Sequence, residues 1–396
     1  MISTATEREA GWASERPQEP ESTPVPEIAE VLPGLGWPQN RSAPPSRVGW
    51  PAAPPVSRET RAVPAAVTGG VVPLSDRPYR TAGERAAGTA DRESMPLARS
   101  VEHALLVRAG RRLETWPRPD RTRVMVVANQ KGGVGKTTST VNLAAALAQG
   151  GLRILVLDLD PQGNASTALA IEHRRGTPSI YDAVVDGVPL ADVVQPSPEI
   201  DGLFVVPATI DLAGAEIELV SMVARENRLR KAVRAHPQVS ADENRFDYVL
   251  VDCPPSLGLL TLNALVAADE MIIPIQAEYY ALEGLGQLLE TVDLVKAHLN
   301  PELTVSTIVL TMYDARTRLS AGVADEVRTH FPGQVLRTAI PRSVRISEAP
   351  SYGQTVMTYD PGSPGALSYL EAAREIALSV LPDAARSGAG LEGAPA

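Results

Sequence analysis

Cysteine occurs once in 396 residues, at position 253. A single cysteine excludes an internal disulfide framework and any cluster held by several thiolates. Its place at the end of an apolar run marks it as a small buried side chain. No run of about 18 apolar residues is present, which excludes an ordinary membrane-spanning helix. The amino terminus, Met1-Ile2-Ser3-Thr4, lacks the basic and apolar regions of a secretion signal, so a cytoplasmic location is expected. Lysine is scarce as well. Four lysines stand against 33 arginines, and two of the four, Lys131 and Lys136, share one short loop. A chain that uses arginine almost everywhere else uses the compact ammonium there for a reason.

Composition divides the chain near residue 120. Residues 1–120 hold 17 of the 35 prolines and no lysine. Segments such as Pro44-Pro45 and Pro51-Ala52-Ala53-Pro54-Pro55 cannot sustain helix or ladder hydrogen bonds. Too little apolar surface is available to offset ordering entropy, so 1–120 reads as a largely disordered extension. Within it, Leu97, Val101, Ala104, Leu105 and Arg108 fall at helical spacing. The segment 97–113 is either a short helix docking on the folded domain or a partner, or a helix in projection only. Residues 383–396 read as a flexible small-residue tail, leaving 121–382 as the folded domain. After residue 118 there are 22 basic and 33 acidic residues, about −11 net. A field of that sign repels nucleic acid, so any such contact needs a local patch or the pairing of two subunits.

Across 121–382 apolar runs alternate with helical patterns. Strands are predicted at 122–128, 153–158, 203–207, 247–252, 270–276, 305–311 and 335–340. Helices are predicted at 136–149, 213–235, 259–267, 281–298, 320–331 and 365–381. Unbroken apolar strands separated by helices predict a doubly wound α/β fold: a mostly parallel sheet with helices on both faces. A ligand is expected beyond the carboxyl ends of its strands.

The chemistry-bearing segment is Asn129-Gln130-Lys131-Gly132-Gly133-Val134-Gly135-Lys136-Thr137-Thr138. It follows the apolar run 124–128 and opens a helical pattern, the context of a phosphate-binding loop. Gly132, Gly133 and Gly135 let successive N–H groups curl toward one anion, and the helix beginning near Lys136 adds its positive end. Lys136 is placed to reach the terminal phosphates, and the Thr137 hydroxyl to ligate Mg²⁺. Val134 and Thr138 complete the cradle. Gln130 stands where the ordinary pattern has glycine, while Lys131 gives K-G-G-V-G-K-T. Two further runs end in carboxylates: Asp158-Leu159-Asp160-Pro161, and Tyr248-Val249-Leu250-Val251-Asp252. Asp160 and Asp252 beside a phosphate loop can hold Mg²⁺ or orient a water, Asp252 through a bridging water. Asp158 fits a local turn or cap equally well.

The two-lysine loop resembles the deviant Walker A signature of the ParA/MinD class of P-loop ATPases. Longer stretches are similar to chromosome-partitioning ParA proteins of the Soj type: 158–167, 274–284, 310–317 and Ile340-Pro341-Arg342-Ser343-Val344-Arg345-Ile346, within a likeness running from about 121 to 381. The resemblance implies an ATP- and Mg²⁺-dependent homodimer sandwiching two nucleotides. It also implies sequence-independent DNA binding on the nucleoid, and a weak ATPase stimulated by a ParB-type centromere-binding partner. By the same resemblance Lys131 crosses to the partner's nucleotide, Lys136 and Asp160 serve catalysis, and Arg316 and Arg345 contact DNA with Arg342 beside them. The basic stretch 225–234 is an alternative patch, or a set of solvated and locally paired side chains. The tail lacks the amphipathic, basic and bulky helix of a MinD-like membrane cycler, and one cysteine does not suit the iron–sulfur carriers that share the loop. The Pro-rich extension lacks two adjoining helical patterns for a helix-turn-helix; a docking tail for a polar or division scaffold is the remaining expectation.

Overall fold

The computed structural model describes residues 115–380, except 242, 279 and 280, with backbone alone at 281–283. The candidate helix 97–113 and the tail 383–396 lie outside the described residues. The elements, in chain order, are β1 (Arg123–Val127), α1 (Lys136–Gln149), β2 (Ile154–Asp158), α2 (Asn164–Ala168), β3 (Gln195–Pro196), β4 (Leu203–Val206), α3 (Leu212–Val220), α4 (Arg228–Ala235), α5 (Pro237–Ser240), β5 (Tyr248–Asp252), α6 (Leu259–Ala267), β6 (Glu270–Gln276), α7 (Ala281–His298), β7 (Thr304–Thr311), α8 (Arg318–His330), α9 (Val344–Glu348), α10 (Val356–Tyr359) and α11 (Pro364–Leu378).

One sheet runs in the order β3-β4-β2-β5-β1-β6-β7. All its pairings are parallel except the short β3–β4 pair. Successive strand residues point to opposite faces, yet every residue of β2 and β5 is buried. Both faces are therefore covered by helices, as the unbroken apolar runs predict. Each fully buried Val, Leu or Ile contributes about 1.5–3 kcal/mol, and the strand interiors are built of these.

The chain steps outward from β1 to β2 and β4 and returns with β5 between β2 and β1. It then continues on the other side with β6 and β7. That reversal opens the crevice where open α/β sheets bind ligands. Register completes the placement: Val127 and Asp158 are both the paired neighbours of Asp252. Three strand ends that precede the candidate motifs thus lie side by side.

Two predicted elements are corrected. The helix expected over 213–235 is broken into α3, a single turn at Arg225–Asn227 and α4, because Ala224 takes a left-handed φ of 51°. Asn263 of α6 satisfies the break, its Nδ2 donating to the Arg225 carbonyl at 2.9 Å and its Oδ1 accepting from Leu229 N. The strand expected at 335–340 makes only isolated bridges, Ile308 with Val335 and Tyr313 with Pro341. The Glu375 carboxylate of α11 instead captures the N–H groups of Arg337 and Thr338 at 2.8 and 2.9 Å. Residues 115–120, grouped with the extension by composition, pack on the domain: Trp116 is buried, and its N–H reaches the carbonyl of Gly150 at the end of α1.

Candidate functional site

The loop between β1 and α1 is anchored at both ends. Asn129 Nδ2 donates to the Pro274 carbonyl of β6 at 2.8 Å, and its Oδ1 accepts the N–H of Lys131 at 3.0 Å. Gly133 and Gly135 take φ of 74° and 89°, a region that side-chain-bearing residues avoid. Gly135 is the residue from which α1 springs, and its carbonyl accepts the N–H of Ser139. Gly132 has open space where a Cβ would stand. Val134 is buried, and its carbonyl accepts the Thr311 hydroxyl of β7 at 2.8 Å. Sequence patterning offers no signal for Thr311, which lies 177 residues from its partner.

The two lysines of the loop have different surroundings. Lys136 is buried, and its Nζ donates back to the Lys131 carbonyl at 3.3 Å. Burial lowers its pKa, opposed by the nearby Asp252, Cys253 and Asp160. Lys131 points outward with 43% of its side chain exposed, against Glu278 at 3.4 Å. Thr138 offers its carbonyl to Asn142. One loop therefore carries an inward cation and an outward one.

The carboxylates also divide. Asp158 is fully buried and bound locally: Oδ1 accepts from Asp160 N, and Oδ2 accepts from the N–H and hydroxyl of Ser166 at 2.9 and 2.7 Å. That is the turn-building role. Asp252 Oδ1 accepts the Thr140 hydroxyl at 3.0 Å, whereas its Oδ2 is buried with no partner. Burial pushes its pKa up to about 8, the charge of Asp158 adds to the rise, and the hydroxyls of Thr137 and Thr140 oppose it. Asp158 is pushed up to about 6, chiefly by burial. Asp160 turns its Oδ1 to Gln162 N and leaves little surface exposed. The Cys253 thiol is held well above its ordinary pKa by burial. An orphaned buried carboxylate oxygen beside two threonine hydroxyls suits a hydrated Mg²⁺. Among the described residues no three His, Cys, Asp or Glu side chains converge on one point. A Mg²⁺ here would therefore complete its shell from ligand oxygens and water.

The arginines singled out in the sequence lie elsewhere on the surface. Arg316 is 90% exposed, its guanidinium forked onto Asp314 at 2.9 and 2.8 Å. The Asp314 carboxyl is held down at about 2 by the hydrogen bonds and charge of Arg316, with Arg342 adding to the field. Arg345 pairs with Glu348 at 3.1 Å and Asp360 at 3.5 Å. In the stretch 225–234 three of the five cations hold the fold: Arg225 caps the Val220 carbonyl, Arg228 binds the carbonyls of Val184 and Val185, and Arg234 pairs with Asp269. Among the described residues no helix is long and apolar enough to cross a membrane.

A covered parallel sheet, a glycine loop at its reversal point and two carboxylate-ended strands beside it define a P-loop α/β protein. A family model described as an AAA domain matches residues 122–305. Sporulation initiation inhibitor protein Soj of Bacillus subtilis is 51% identical over 255 residues, spanning 64% of this chain and 98% of that protein. Chromosome partitioning protein ParA of Myxococcus xanthus is 51% identical over 64% of this chain and 87% of its own length. Among solved structures, cobyrinic acid a,c-diamide synthase from Mycobacterium smegmatis with bound ADP and magnesium is 38% identical, with a TM-score of 0.54 over 64% of this chain and 94% of that one. The ATP complex of Cyanothece McdA shares the fold at a TM-score of 0.57 and 23% identity, over 66% of this chain and 98% of that one. The chain belongs to the Soj/ParA family of chromosome-partitioning proteins.

Proposed function

We propose that this protein is a chromosome- or plasmid-partitioning ATPase whose ATP-bound dimer holds DNA without sequence preference and releases it after hydrolysis. A ParB-type centromere-binding protein would stimulate that hydrolysis, on the nucleoid in the cytoplasm, with the extension serving as a docking tail for a polar or division scaffold. The observation that carries the reading is the opposed pair of lysines: Lys136 buried among the carboxylates, Lys131 directed outward from the same loop.

The loop's backbone, from Gly132 through Thr138, would hold the phosphates of ATP, with Lys136 against the terminal ones. Thr137 and the free oxygen of Asp252 would hold Mg²⁺, with Asp160 at its edge. When bound, Mg²⁺ neutralises charge that grows on the phosphates. Asp160 is near enough to the Lys136 ammonium to influence it and would orient the attacking water. Among the described residues the Lys131 ammonium is held by a half-exposed pair with Glu278, a contact of about 0–1 kcal/mol. It can therefore leave Glu278 and meet the nucleotide of a second copy, as an arginine finger does in trans. Loss of the γ-phosphate removes that bridge and frees the two protomers.

Light scattering on the full chain tests the reading. A doubled mass in ATP and a single mass in ADP are expected. Asp160→Ala should dimerise in ATP and hold the dimer, since hydrolysis stalls; Lys131→Ala should bind ATP and stay single. An unchanged mass in ATP for the unaltered chain overturns the proposal.

A further inference from the structure

We infer that Thr311 is a positioning residue that transmits the state of the phosphate loop to the Arg316–Arg342 surface. The inference rests on the function proposed above and goes beyond it by naming the connection between nucleotide and DNA. Thr311 is buried at the carboxyl end of β7. Its hydroxyl grips the Val134 carbonyl at 2.8 Å, and its side chain lies 3.7 Å from where a Cβ on Gly135 would stand. A trans peptide is planar, so the N–H of Gly135 points opposite to the carbonyl that Thr311 holds. Any rotation of that peptide to meet a phosphate must break the bond or draw the end of β7 with it.

Movement at Thr311 has a short path outward. The next residue, Met312, takes a φ of 51°, a left-handed conformation that costs a non-glycine residue about 1 kcal/mol or more. Tyr313 is then clamped on both sides, its N–H on the Ile340 carbonyl at 2.9 Å and its carbonyl accepting from Arg342 N at 3.2 Å. Asp314 follows, with its carboxylate holding both the N–H and the guanidinium of Arg316. Four consecutive residues, 311–314, thus join the loop carbonyl to two surface arginines. The strained Met312 is a store that a shift of Thr311 can release.

The experiment compares Thr311→Val, which removes only the hydroxyl, with Thr311→Ser, which keeps it. Full-length protein is passed over immobilised duplex DNA of arbitrary sequence in ATP and in ADP, and ATP affinity is measured alongside. Thr311→Val is expected to bind ATP within about threefold of the unaltered chain, while the ratio of DNA retained in ATP to that in ADP falls about tenfold, the size of an ordinary coupling between sites. Thr311→Ser should restore the ratio. Met312→Gly, which relieves the strain, should lower it as well. A valine variant with an unchanged ratio overturns the inference, as does one that no longer binds ATP, since Thr311 would then only shape the loop. Equal retention in ATP and ADP by the unaltered chain overturns the partitioning function itself, and the connection with it.

Discussion

At the scale of single residues the decisive pair is Asp158 and Asp252, register partners on adjacent strands and both buried. Each has a pKa raised in the folded state, to about 6 and about 8, so the native protein holds more protons than the unfolded chain in that range. Stability in nucleotide-free, Mg²⁺-free buffer should therefore fall as pH rises from the unfolded carboxylate value near about 4 toward 8. Asp252→Asn should remove most of that slope and raise the thermal midpoint at pH 8, at about 2–4 °C per kcal/mol for a domain of this size. A midpoint that rises with pH in the unaltered chain would contradict the assignment. Lys136→Ala should reduce ATP affinity by about 100-fold or more, measured with a fluorescent analogue, because the buried cation proposed to meet the phosphates is lost; retained affinity would contradict the loop reading. The lysines, the glycines and the strand-end aspartates were legible in the sequence because one local pattern carries them. The bond of Thr140 to Asp252 Oδ1, which leaves Oδ2 free, and the grip of Thr311 on Val134 were not, since both join residues more than 100 positions apart.

At the scale of elements, periodicity placed α1, α6 and α7 at their observed limits, because each is bounded by local stop signals or a change of pattern. It failed where a distant side chain supplies what a local ladder would. The turn at Ala224 persists because Asn263, buried in α6, receives Leu229 N–H and donates to the Arg225 and Leu259 carbonyls. Asn263→Ala should cost about 1–3 kcal/mol by leaving those groups buried and unpaired, read as a lowered thermal midpoint with ATP affinity retained after refolding. No loss of stability would show that water serves the break equally well. The segment 335–340 fails to become a strand for the same kind of reason. Glu375 binds two of its N–H groups and the Thr338 hydroxyl, and no alternation pattern encodes that competition.

At the scale of the whole molecule the problem is charge. On the proposed function a domain near −11 would have to hold a polyanion, and the two arginines proposed for that contact are both engaged with carboxylates: Arg316 with Asp314, Arg345 with Glu348 and Asp360. Solvent screens an exposed pair of this kind strongly, so phosphate can displace the carboxylate, and two protomers double each contact. Sequence-independent binding of this type weakens linearly in log affinity against log salt, with a slope of about −0.9 for each phosphate neutralised. Arg345→Ala removes one guanidinium per protomer and should flatten the slope of the ATP dimer by about 1.8 while leaving ATP-induced dimerisation intact. Asp314→Asn keeps the oxygen that accepts Arg316 N–H but discharges its partner, so the freed guanidinium should strengthen DNA retention, most visibly at low salt. The two substitutions move retention in opposite directions through one mechanism, which a general loss of folding cannot imitate. Unchanged salt slopes in Arg345→Ala, with retention equally unmoved in Asp314→Asn, would place the DNA contact on another surface of the dimer.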